Sequence, residues 1–418
     1  MRNAGMNRGL IKPILVILTL LLLTSTWVKS EYANAEPPVV PGVKDTLSRK
    51  GTALAECTTM PWNISSAYKS GAEVSHLGNL WKAKWWTTGE EPGTTGPWGV
   101  WQDKGPCGSG NGGGATPNPD PLDPLITCST TSCLQSALKN VVPGKRIVLA
   151  PGTYTGSFST DVEGTALQPI VIESQNPAEP AIISGYSAGS GYSLRVRGDY
   201  WIIRNLKFTN AQKGIILDNS NFTLITDVEV YHIGYEAVHF RDGTSYSSIE
   251  NSRIHNTGKT GAGFGEGVYV GSAEGAGYNQ NTHNNTIRNV VFGPNITAEH
   301  IDIKERSTGT LVENCIFYGE GISGANYADS FIDGKGNGAV IRNNTAYQNG
   351  NSIIVDAFQL HEIVPGWGID NEFSNNTLYL TDPSVYVIGA YNNTSATAHQ
   401  NTRSPAGNMY RGNVTVTY

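Results

Sequence analysis

The chain has 418 residues, of which 15% are charged, and its formal net charge is −6. It contains 49 glycines but only 4 methionines. Together with many Asn, Thr and β-branched residues, this composition is typical of an all-β extracellular protein, and the length allows two or three domains. The acidic balance argues against a nucleic-acid partner, because phosphate binding needs a basic face. It does not exclude a polyanionic sugar, since a bound cation or a basic cleft could reverse the sign locally.

The N-terminal segment has the order of a secretory signal peptide. Basic residues precede an apolar run at 14–23, and the small-residue motif Ala33-Asn-Ala35 follows. The run is too short to span a bilayer. We predict that residues 1–35 are cleaved and that the protein is secreted, with no membrane partner. An uncleaved membrane anchor is the alternative.

Five cysteines should be read with export in mind, because thiols pair after secretion. Cys57 with Cys107 would join the ends of a small module, and Cys128 with Cys133 would close a tight local loop. Cys315 stands alone in a strand-like repeat. We predict that it is a buried thiol rather than a reactive one.

Aromatic residues divide the chain. Six of the nine tryptophans lie within 57–107, namely Trp62, Trp81, Trp85, Trp86, Trp98 and Trp101. The next stretch is first Gly-rich and then Pro-rich, which is typical of an interdomain linker. We predict a small β-rich module over 57–107, a linker over 108–126 and a second domain over 127–418.

The second domain is repetitive. A short amphipathic helix is predicted around Leu134, and Pro143-Gly144 ends it. After it, one short pattern recurs: an apolar residue, any residue, Asn or Asp, two further residues, and then an apolar or aromatic residue. The Asn or Asp stands at 205, 227, 251, 289, 314, 343 and 375, so the intervals run from 22 to 38 residues. Such a period predicts a solenoid of stacked coils around one core, with the repeated Asn in a tight turn, its amide bonded to the backbone and to its equivalents above and below.

A family resemblance sharpens this interpretation. The helix followed by Pro-Gly-Lys-Arg-Ile-Val-Leu-Ala-Pro-Gly-Thr-Tyr (143–154) resembles the capped start of the pectate-lyase-like parallel β-helices, over roughly 125–418. The resemblance implies an all-β fold class, a right-handed parallel β-helix. It does not imply the substrate, because that superfamily includes lyases, hydrolases and adhesins.

The tryptophan-rich segment resembles the small chitin- or cellulose-binding modules of bacterial chitinases and cellulases, notably at 83–87 and 92–101. Flat aromatic faces stack on pyranose rings. The resemblance implies that Tyr68, Trp85 and Trp86 form the binding platform and that insoluble chitin or cellulose is a partner. A core position for both Trp85 and Trp86 is the alternative.

Polar residues on the solenoid align into rows, because equivalent positions of successive coils stack about 4.8 Å apart. With Ile301 and Ile303 pointing inward, we expect His300, Asp302 and Lys304 to point outward. One row then contains His239, Tyr269, Asp302, Asp333 and Gln359, and the next contains Arg241, Gly271, Lys304, Lys335 and His361. The preceding strand, 214–217, carries no comparable polar groups. Counting back from Asn343 would instead align Asp333 with Lys304.

These rows predict a site, because like charges side by side weaken a sheet. A purely structural ion network is the alternative. A uronic-acid lyase needs a cation to neutralise the sugar carboxylate, a base for the C5 proton and an acid for the leaving O4. The resemblance implies calcium on acidic side chains for the first role and a lysine or arginine for the second.

These three roles can be assigned to residues of the two rows and to acidic residues beside them. We predict Asp302 and Asp333, with Glu299 and Asp329, as calcium ligands. Lys304 is the predicted base, with Lys335 as competitor; Lys335, Arg241 and calcium beside it favour its neutral form. Tyr269 or His239 would protonate the leaving group. The remaining outward residues, His300, Gln359 and His361, are predicted to contact the polysaccharide.

The sequence therefore predicts a secreted, monomeric polysaccharide lyase. It would cleave an acidic, uronic-acid-containing cell-wall or sheath polysaccharide by β-elimination, anchored through its chitin- or cellulose-binding module. An inverting glycoside hydrolase that uses Asp302 and Asp333 as acid and base is one alternative. A non-catalytic polysaccharide-binding protein is the other.

Overall fold

The computed structural model describes residues 59–64, 66–69, 71–76, 79–83, 87–93, 100–106 and 125–417. The chain divides into two compact units, 1–112 and 113–418. The predicted signal peptide, the Cys57–Cys107 pair and nearly all of the predicted linker lie outside the described residues. Within the described ranges, no helix has both the length and the apolar character needed to cross a membrane.

The N-terminal unit is β-rich. Strands are numbered in chain order, and this unit contains β1 Ala67–Tyr68, β2 Glu73–His76, β3 Asn79–Ala83, β4 Thr87–Thr88 and β5 Trp101–Pro106. β2, β3 and β5 form an antiparallel sheet, and β1 pairs with β4. Val74, Ala83, Val100 and Trp101 form its small core.

The C-terminal unit opens with a strand and a helical cap. Strand β6 (Leu125–Cys128) leads into helix α1 (Thr131–Asn140), whose N-terminus is capped by the Thr130 hydroxyl accepting from the Cys133 N–H at 3.2 Å. The helix buries Leu134, Ala137 and Leu138, as its apolar spacing predicts. A disulfide joins Cys128 to Cys133, which confirms the predicted pairing.

Three parallel sheets follow, and each receives one strand from nearly every coil. The first sheet contains β6, β7 Arg146–Leu149, β10 Ile170–Ser174, β13 Trp201–Arg204, β16 Leu224–Thr226, β19 Ser248–Glu250, β23 Thr286–Arg288, β27 Leu311–Glu313, β30 Val340–Arg342, β33 Asn371–Ser374, β36 Ala396–His399 and β39 Val414–Val416. The second contains β8 Thr153–Thr155, β11 Ile182–Ser184, β14 Lys207–Thr209, β17 Glu229–Tyr231, β20 Arg253–His255, β24 Val291–Phe292, β28 Ile316–Tyr318, β31 Thr345–Tyr347, β34 Thr377–Tyr379 and β37 Thr402–Ser404. The third contains β9 Phe158–Thr160, β12 Tyr192–Val196, β15 Lys213–Asp218, β18 Val238–Arg241, β21 Val268–Val270, β25 Ile301–Ile303, β29 Ile332–Gly334, β32 Asp356–Leu360, β35 Tyr386–Ala390 and β38 Tyr410–Arg411. A short parallel pair, β22 Thr282–His283 and β26 Ser307–Thr308, and two one-turn 3-10 helices, Ala262–Phe264 and Ala325–Tyr327, complete the elements.

This architecture is the predicted parallel β-helix. Each strand pairs in register with its equivalent one coil away, so inward side chains stack into columns such as Ile203, Ile225 and Ile249. These columns form one continuous core in which the inward residues are almost fully buried. Cys315 belongs to this core, where burial raises the pKa of its thiol to about 12. It is the buried thiol that the sequence predicts.

The repeated Asn lies in the predicted tight turn, and one amide bonds to its equivalent in the preceding coil: Asn289 Nδ2 donates to Asn251 Oδ1 at 3.0 Å. Asn205, Asn314 and their equivalents adopt the left-handed backbone conformation, with φ from 48° to 57°, which Asn tolerates better than most residues. Most are exposed. The buried amide ladder lies one residue later, where Asn344, Asn376 and Asn401 bond to one another at 2.8 to 3.1 Å. The turn therefore uses two asparagines for two purposes, backbone conformation outside and amide pairing inside.

Candidate active site

The polar rows lie on the outer face of the third sheet. Strand register pairs His239 with Tyr269, Tyr269 with Asp302, Asp302 with Asp333 and Asp333 with Gln359. This is the row predicted from the repeated Asp-x-Lys pattern, and the alternative register of Asp333 is wrong. Lys304 and Lys335 each follow two residues after an aspartate of this row, so their side chains emerge beside it.

The second row, which contains Arg241 and Lys304, extends further toward the N-terminus than the sequence suggested. Asp218, one residue beyond the segment compared, pairs in register with Arg241 and accepts from its Nε at 2.5 Å and Nη2 at 2.8 Å. Arg195 contacts the same carboxylate, and Tyr278 lies with its ring 4.4 Å from the Arg241 guanidinium carbon. Arg241 is thus held rigidly rather than free to exchange a proton. Extending the alignment by one residue would have found Asp218.

Lys335 is locked between the two aspartates of the row. Its Nζ lies 2.7 Å from Asp302 Oδ1 and 2.6 Å from Asp333 Oδ2. Burial by itself would lower the pKa of Lys335, but Asp302, Asp333 and Glu299 outweigh it and hold that pKa well above its usual value. Lys335 is therefore a fixed ammonium.

Lys304 is held more loosely. Its Nζ lies 3.5 Å from Asp302 Oδ2 and 3.9 Å from a Glu305 oxygen, distances too long for a strong hydrogen bond. The same nitrogen lies 5.5 Å from the centre of the Tyr269 ring. Its side chain lines the cavity described below. Of the two lysines, Lys304 is the one positioned to meet a substrate atom.

Tyr269 keeps its hydroxyl proton. Burial, reinforced by the negative charge of Asp302, raises the pKa of Tyr269 far above its usual value. No residue of the described ranges makes a hydrogen bond to its hydroxyl. Tyr269 is therefore a protonated acid without a competing partner in that part of the chain.

His239 is committed elsewhere. Its Nδ1 lies 2.9 Å from Glu236 Oε1 and its Nε2 lies 2.9 Å from the Gly271 carbonyl oxygen. Both ring nitrogens therefore face acceptors, and the ring is buried against Tyr269 with centroids 4.5 Å apart. His239 is better placed to orient Tyr269 than to protonate a leaving group.

Buried glutamates lie three residues before the row. Burial and the charge of Asp302 raise the pKa of Glu299 to about 8 and that of Glu266 well above its usual value. Glu236 differs: burial opposes its ionisation, but His239 and Lys213 prevail and lower its pKa to about 2. Glu266 was not predicted as a site residue, although an acidic residue also stands three positions before His239, Asp302 and Gln359. These shifts favour the protonated form of Glu266 and Glu299, in which each can donate a hydrogen bond.

The predicted calcium ligands do not fit a calcium ion as they are arranged. Asp302 and Asp333 already share the ammonium of Lys335, and Glu299 is protonated at neutral pH. Asp329 accepts from Gln359 Nε2 at 2.8 Å, and burial raises its pKa. Within the described ranges, no group of three or more His, Cys, Asp or Glu residues has the geometry of a metal site.

His300 points into the core, so its prediction as a carbohydrate contact is wrong. β25 begins at Ile301, and His300 occupies the corner before it, where strand alternation does not hold. Its imidazole is fully buried and packs against Phe292 and Phe317, with ring centroids 5.9 and 5.7 Å away. Gly267, which precedes β21, leaves this space free, since a Cβ there would lie 2.8 Å from the Phe292 ring.

A cavity of about 280 Å³ brings the site together. Glu266, Glu299, Asp302, Lys304, Asn326, Tyr327, Asp329, Asp333, Lys335, Gln359, His361 and Ile363 line it. His361 meets Asp333 through Nδ1 at 2.9 Å and remains partly exposed, whereas Gln359 is buried. A larger and shallower hollow of about 430 Å³ lies at the turn between the first and second sheets, where Lys207, Glu229 and Arg253 line it in register.

In the N-terminal unit, only one platform residue can be placed. The half-buried Tyr68 packs edge-on against Trp101 with centroids 5.2 Å apart, and its hydroxyl accepts from the Asn63 N–H at 2.6 Å. Its role there is at least partly structural. Trp85 and Trp86 lie outside the described residues.

Comparison with known proteins agrees with both units. Residues 192–378 match the family described as right handed beta helix region, and residues 61–102 match carbohydrate-binding module family 5/12. Chitinase A of Pseudoalteromonas piscicida is 51% identical over 37 residues, which is 9% of this chain and 4% of that protein. Pectate lyase L of Dickeya chrysanthemi is 23% identical over 268 residues, 58% of this chain and 59% of that protein. The chain therefore spans only part of either protein.

A solved structure gives much fuller coverage. The alginate lyase from Paenibacillus sp. str. FPU-7 is 57% identical, with a TM-score of 0.69, and the match covers 70% of this chain and 99% of that one. Identity at this level over a whole chain indicates common ancestry and a shared reaction type. The chain belongs to the right-handed parallel β-helix polysaccharide lyases, and it carries a carbohydrate-binding module of family 5/12 ahead of that fold.

Proposed function

We propose that this protein cleaves a polyuronate of the alginate type by β-elimination, with Lys304 as base and Tyr269 as acid. The observation that carries the proposal is the contrast between the two lysines of the site. Lys335 is locked between two carboxylates, whereas Lys304 lines the cavity next to Tyr269 without a tight partner. The alginate lyase relative supports the choice of substrate.

Proton transfer in this reaction uses two groups of this chain. Neutral Lys304 takes the C5 proton, and the electron pair left on C5 forms the C4–C5 double bond while the C4–O4 bond breaks. Tyr269 donates its hydroxyl proton to the departing O4. A proton transfer from Lys304 to the Tyr269 phenolate then restores both groups.

The sugar carboxylate needs a positive or hydrogen-bonding environment for C5 to become acidic. Lys335 supplies a fixed ammonium at the centre of the row. Glu299 and Glu266, whose raised pKa values favour the protonated form, can donate hydrogen bonds to a carboxylate instead of repelling it. These groups give the site a means of neutralisation from its own side chains.

Hydrolysis by Asp302 and Asp333 is disfavoured by the same geometry. An inverting pair is separated by roughly 6.5–9.5 Å so that a water fits between the carboxyl groups. Here one ammonium touches oxygens of both carboxylates, at 2.7 and 2.6 Å. The space that a nucleophilic water would need is filled by Lys335.

The two units serve one task in this proposal. The module holds the secreted enzyme on insoluble chitin or cellulose, and the β-helix cuts an associated acidic polysaccharide. The resemblance of the module to part of a chitinase supports the first half of this statement. The predicted signal peptide supports secretion.

Ultraviolet absorbance over a panel of polysaccharides tests the proposal, because only elimination creates a double bond conjugated to a carboxylate. Alginate should give a rising signal, and Lys304→Ala should lower kcat by roughly 10²–10⁴-fold, as expected for loss of a positioned base. Lys335→Met should mainly raise KM. The matched control is Lys207→Ala, which removes a half-exposed lysine of the second sheet.

Two results would contradict these assignments. Near-parental turnover in Lys304→Ala, with turnover lost in Lys335→Met, would reverse the roles of the lysines. Reducing sugar released without an absorbance change would indicate hydrolysis. A chelator arm tests the calcium prediction: since Lys335 fills the space between the aspartates, we expect activity to persist, and its loss and return with calcium would restore the calcium role.

A further inference from the structure

A second cationic group lies on the same row, beyond the residues discussed so far. Register continues from Gln359 to Gly389 and from Gly389 to Arg411 in the last strand of the third sheet. Arg411 therefore occupies the same line of outward positions as Tyr269, Asp302 and Asp333. Neither its position near the C-terminus nor its local sequence distinguishes it from a surface arginine.

The side chain of Arg411 runs back along the sheet toward the active site. Its Nη2 lies 2.6 Å from Asp356 Oδ2, although Asp356 belongs to β32, two strands away. The side chain can pass because β35 has Gly389 at the crossing point. A Cβ there would lie 2.6 Å from Asp356 Oδ2 and 3.0 Å from the Tyr391 ring.

The guanidinium is fixed from several sides. Tyr386 and Tyr391 lie against it, with ring centres 5.0 and 4.5 Å from its central carbon. Tyr391 also donates its hydroxyl hydrogen to Asp356 Oδ2 at 2.5 Å. We call Asp356, Tyr386, Tyr391 and Arg411 the Arg411 cluster. Such a rigid guanidinium binds a planar anion at low entropic cost.

The cluster keeps hydrogen-bonding capacity for a ligand. An arginine has five N–H donors, and within residues 125–417 the only hydrogen bond of Arg411 is the one to Asp356. Its side chain is one-third exposed, while Asp356 is fully buried. Oδ2 of Asp356 therefore fixes the arginine, Nε of Arg411 is buried without a hydrogen-bond partner among the described residues, and the exposed third of the side chain remains open to a ligand.

The cluster is also joined to the active site. The His361 ring stacks on Tyr391 with centroids 4.7 Å apart, and its Nδ1 meets Asp333 Oδ1 at 2.9 Å. Asp333 in turn contacts Lys335. The Arg411 backbone lies three strands from Asp333, and its guanidinium returns to Asp356 on β32, the strand next to that of Asp333. An extended glycan lying along the row would reach it within the next sugar residues.

We propose that the Arg411 cluster is a binding subsite for the carboxylate of a second uronate residue on the same substrate chain. Arg411 would receive the carboxylate in its guanidinium fork, with Tyr391 and His361 beside the sugar ring. This inference rests on the proposed function, and it extends that function by fixing the direction of the chain along the coil axis. It implies a preference for substrates long enough to span both sites.

Kinetics of the full-length enzyme on long and short polyuronates test the subsite. Arg411→Gln should raise KM for the polymer by about tenfold while kcat changes by less than about twofold, because the contact is equal in ground and transition states. On the shortest oligomer that the enzyme cleaves, parent and variant should converge. The product-length distribution of Arg411→Gln should shift. Arg253→Gln, on the second sheet, is the matched control and should match the parent throughout.

A second variant guards against misfolding. Arg411→Lys keeps a cation beside the buried Asp356 but loses the planar fork, so it should stay folded by thermal unfolding and show an intermediate KM. A folded Arg411→Lys together with Arg411→Gln at parental KM, with parental product lengths, would overturn the subsite alone. A parent that gives no unsaturated product from any polyuronate would overturn the proposed function and this inference with it.

Discussion

The positions of some single residues in this protein cannot be deduced from the neighbouring sequence, and His300 is the clearest case. It occupies a core position against Phe292 and Phe317, and neither ring nitrogen has a hydrogen-bond partner among the described residues. Burial lowers the pKa of His300 to about 3. In the unfolded chain the same group titrates near 6.5. Between these two pKa values, His300 is therefore neutral in the folded state and protonated in the unfolded state.

The sign of the resulting pH dependence follows directly. Below pH of about 6.5 the unfolded chain binds a proton at His300 and the folded chain does not, so stability falls as pH falls toward about 3. His300→Leu removes this linkage. Its advantage over the parent in chemical unfolding should grow by about 2 kcal/mol between pH 7 and pH 5. The exposed His232→Gln is the control, and an equal advantage at both pH values would contradict the prediction.

Lys304 and Lys335 illustrate the same lesson at the catalytic row. Their sequences are near copies, Asp302-x-Lys304 and Asp333-x-Lys335, and their register is equivalent. Yet Lys335 reaches across to both carboxylates while Lys304 contacts only Asp302 loosely. A repeated pattern thus produces two different functional groups, a fixed charge and a candidate base.

At the scale of elements, the turns after the strands of the first sheet use asparagine in two different ways, at two consecutive positions. Asn375 has φ of 56°, a left-handed conformation, and its side chain is exposed. Asn376 is buried: its Oδ1 accepts from the Asn344 amide at 3.0 Å and its Nδ2 donates to Asn401 at 2.8 Å. The first is a backbone requirement and the second a hydrogen-bonding requirement.

Substitution should distinguish them. Asn375→Ala should cost roughly 1 kcal/mol of unfolding free energy because of the left-handed backbone, and Asn375→Gly should recover most of it. Asn376→Ala should cost about 2–4 kcal/mol, since it leaves several buried groups unpaired, and Asn376→Gly should bring no recovery. Denaturant unfolding of the four variants measures this. Recovery by glycine at both positions would mean that Asn376 matters only for its backbone.

At the scale of the whole molecule, the module and the β-helix should act independently on different polymers. The family resemblance implies that Trp85 and Trp86 form the binding platform. Trp85→Ala and Trp86→Ala should each weaken retention of the full-length protein on chitin or cellulose by about tenfold. This corresponds to a loss of about 1.4 kcal/mol of binding free energy, which lies within the range for an aromatic contact. Cleavage of a soluble polyuronate should not change, because the catalytic row lies within 213–411. Sedimentation with the insoluble polymer and absorbance with the soluble one give the two measurements. Trp367→Ala, in the β-helix unit, is the control, and unchanged retention in both module variants would contradict the platform.

The sequence by itself determined the architecture of this protein. The recurring Asn or Asp with its flanking apolar residues specifies coils of similar length, and similar coils stack in register because each leaves an apolar face to cover. From that register, the line from His239 to Gln359 follows without a structure. The same reasoning found Asp302, Lys304 and Lys335, and it identified Cys315 as a buried thiol.

Only the tertiary structure decided what those residues do. Strand periodicity assigns a side to each residue, but it fails at corners, which is why His300 lies in the core instead of the groove. Strand periodicity also does not predict which group the end of a long side chain contacts. Burial and contacts between coils decide three features of the site. They decide whether Lys335 bridges two carboxylates and whether Glu299 stays neutral. They also decide whether Arg411 reaches across Gly389 to Asp356. Those contacts join residues more than twenty positions apart, and no local pattern encodes them.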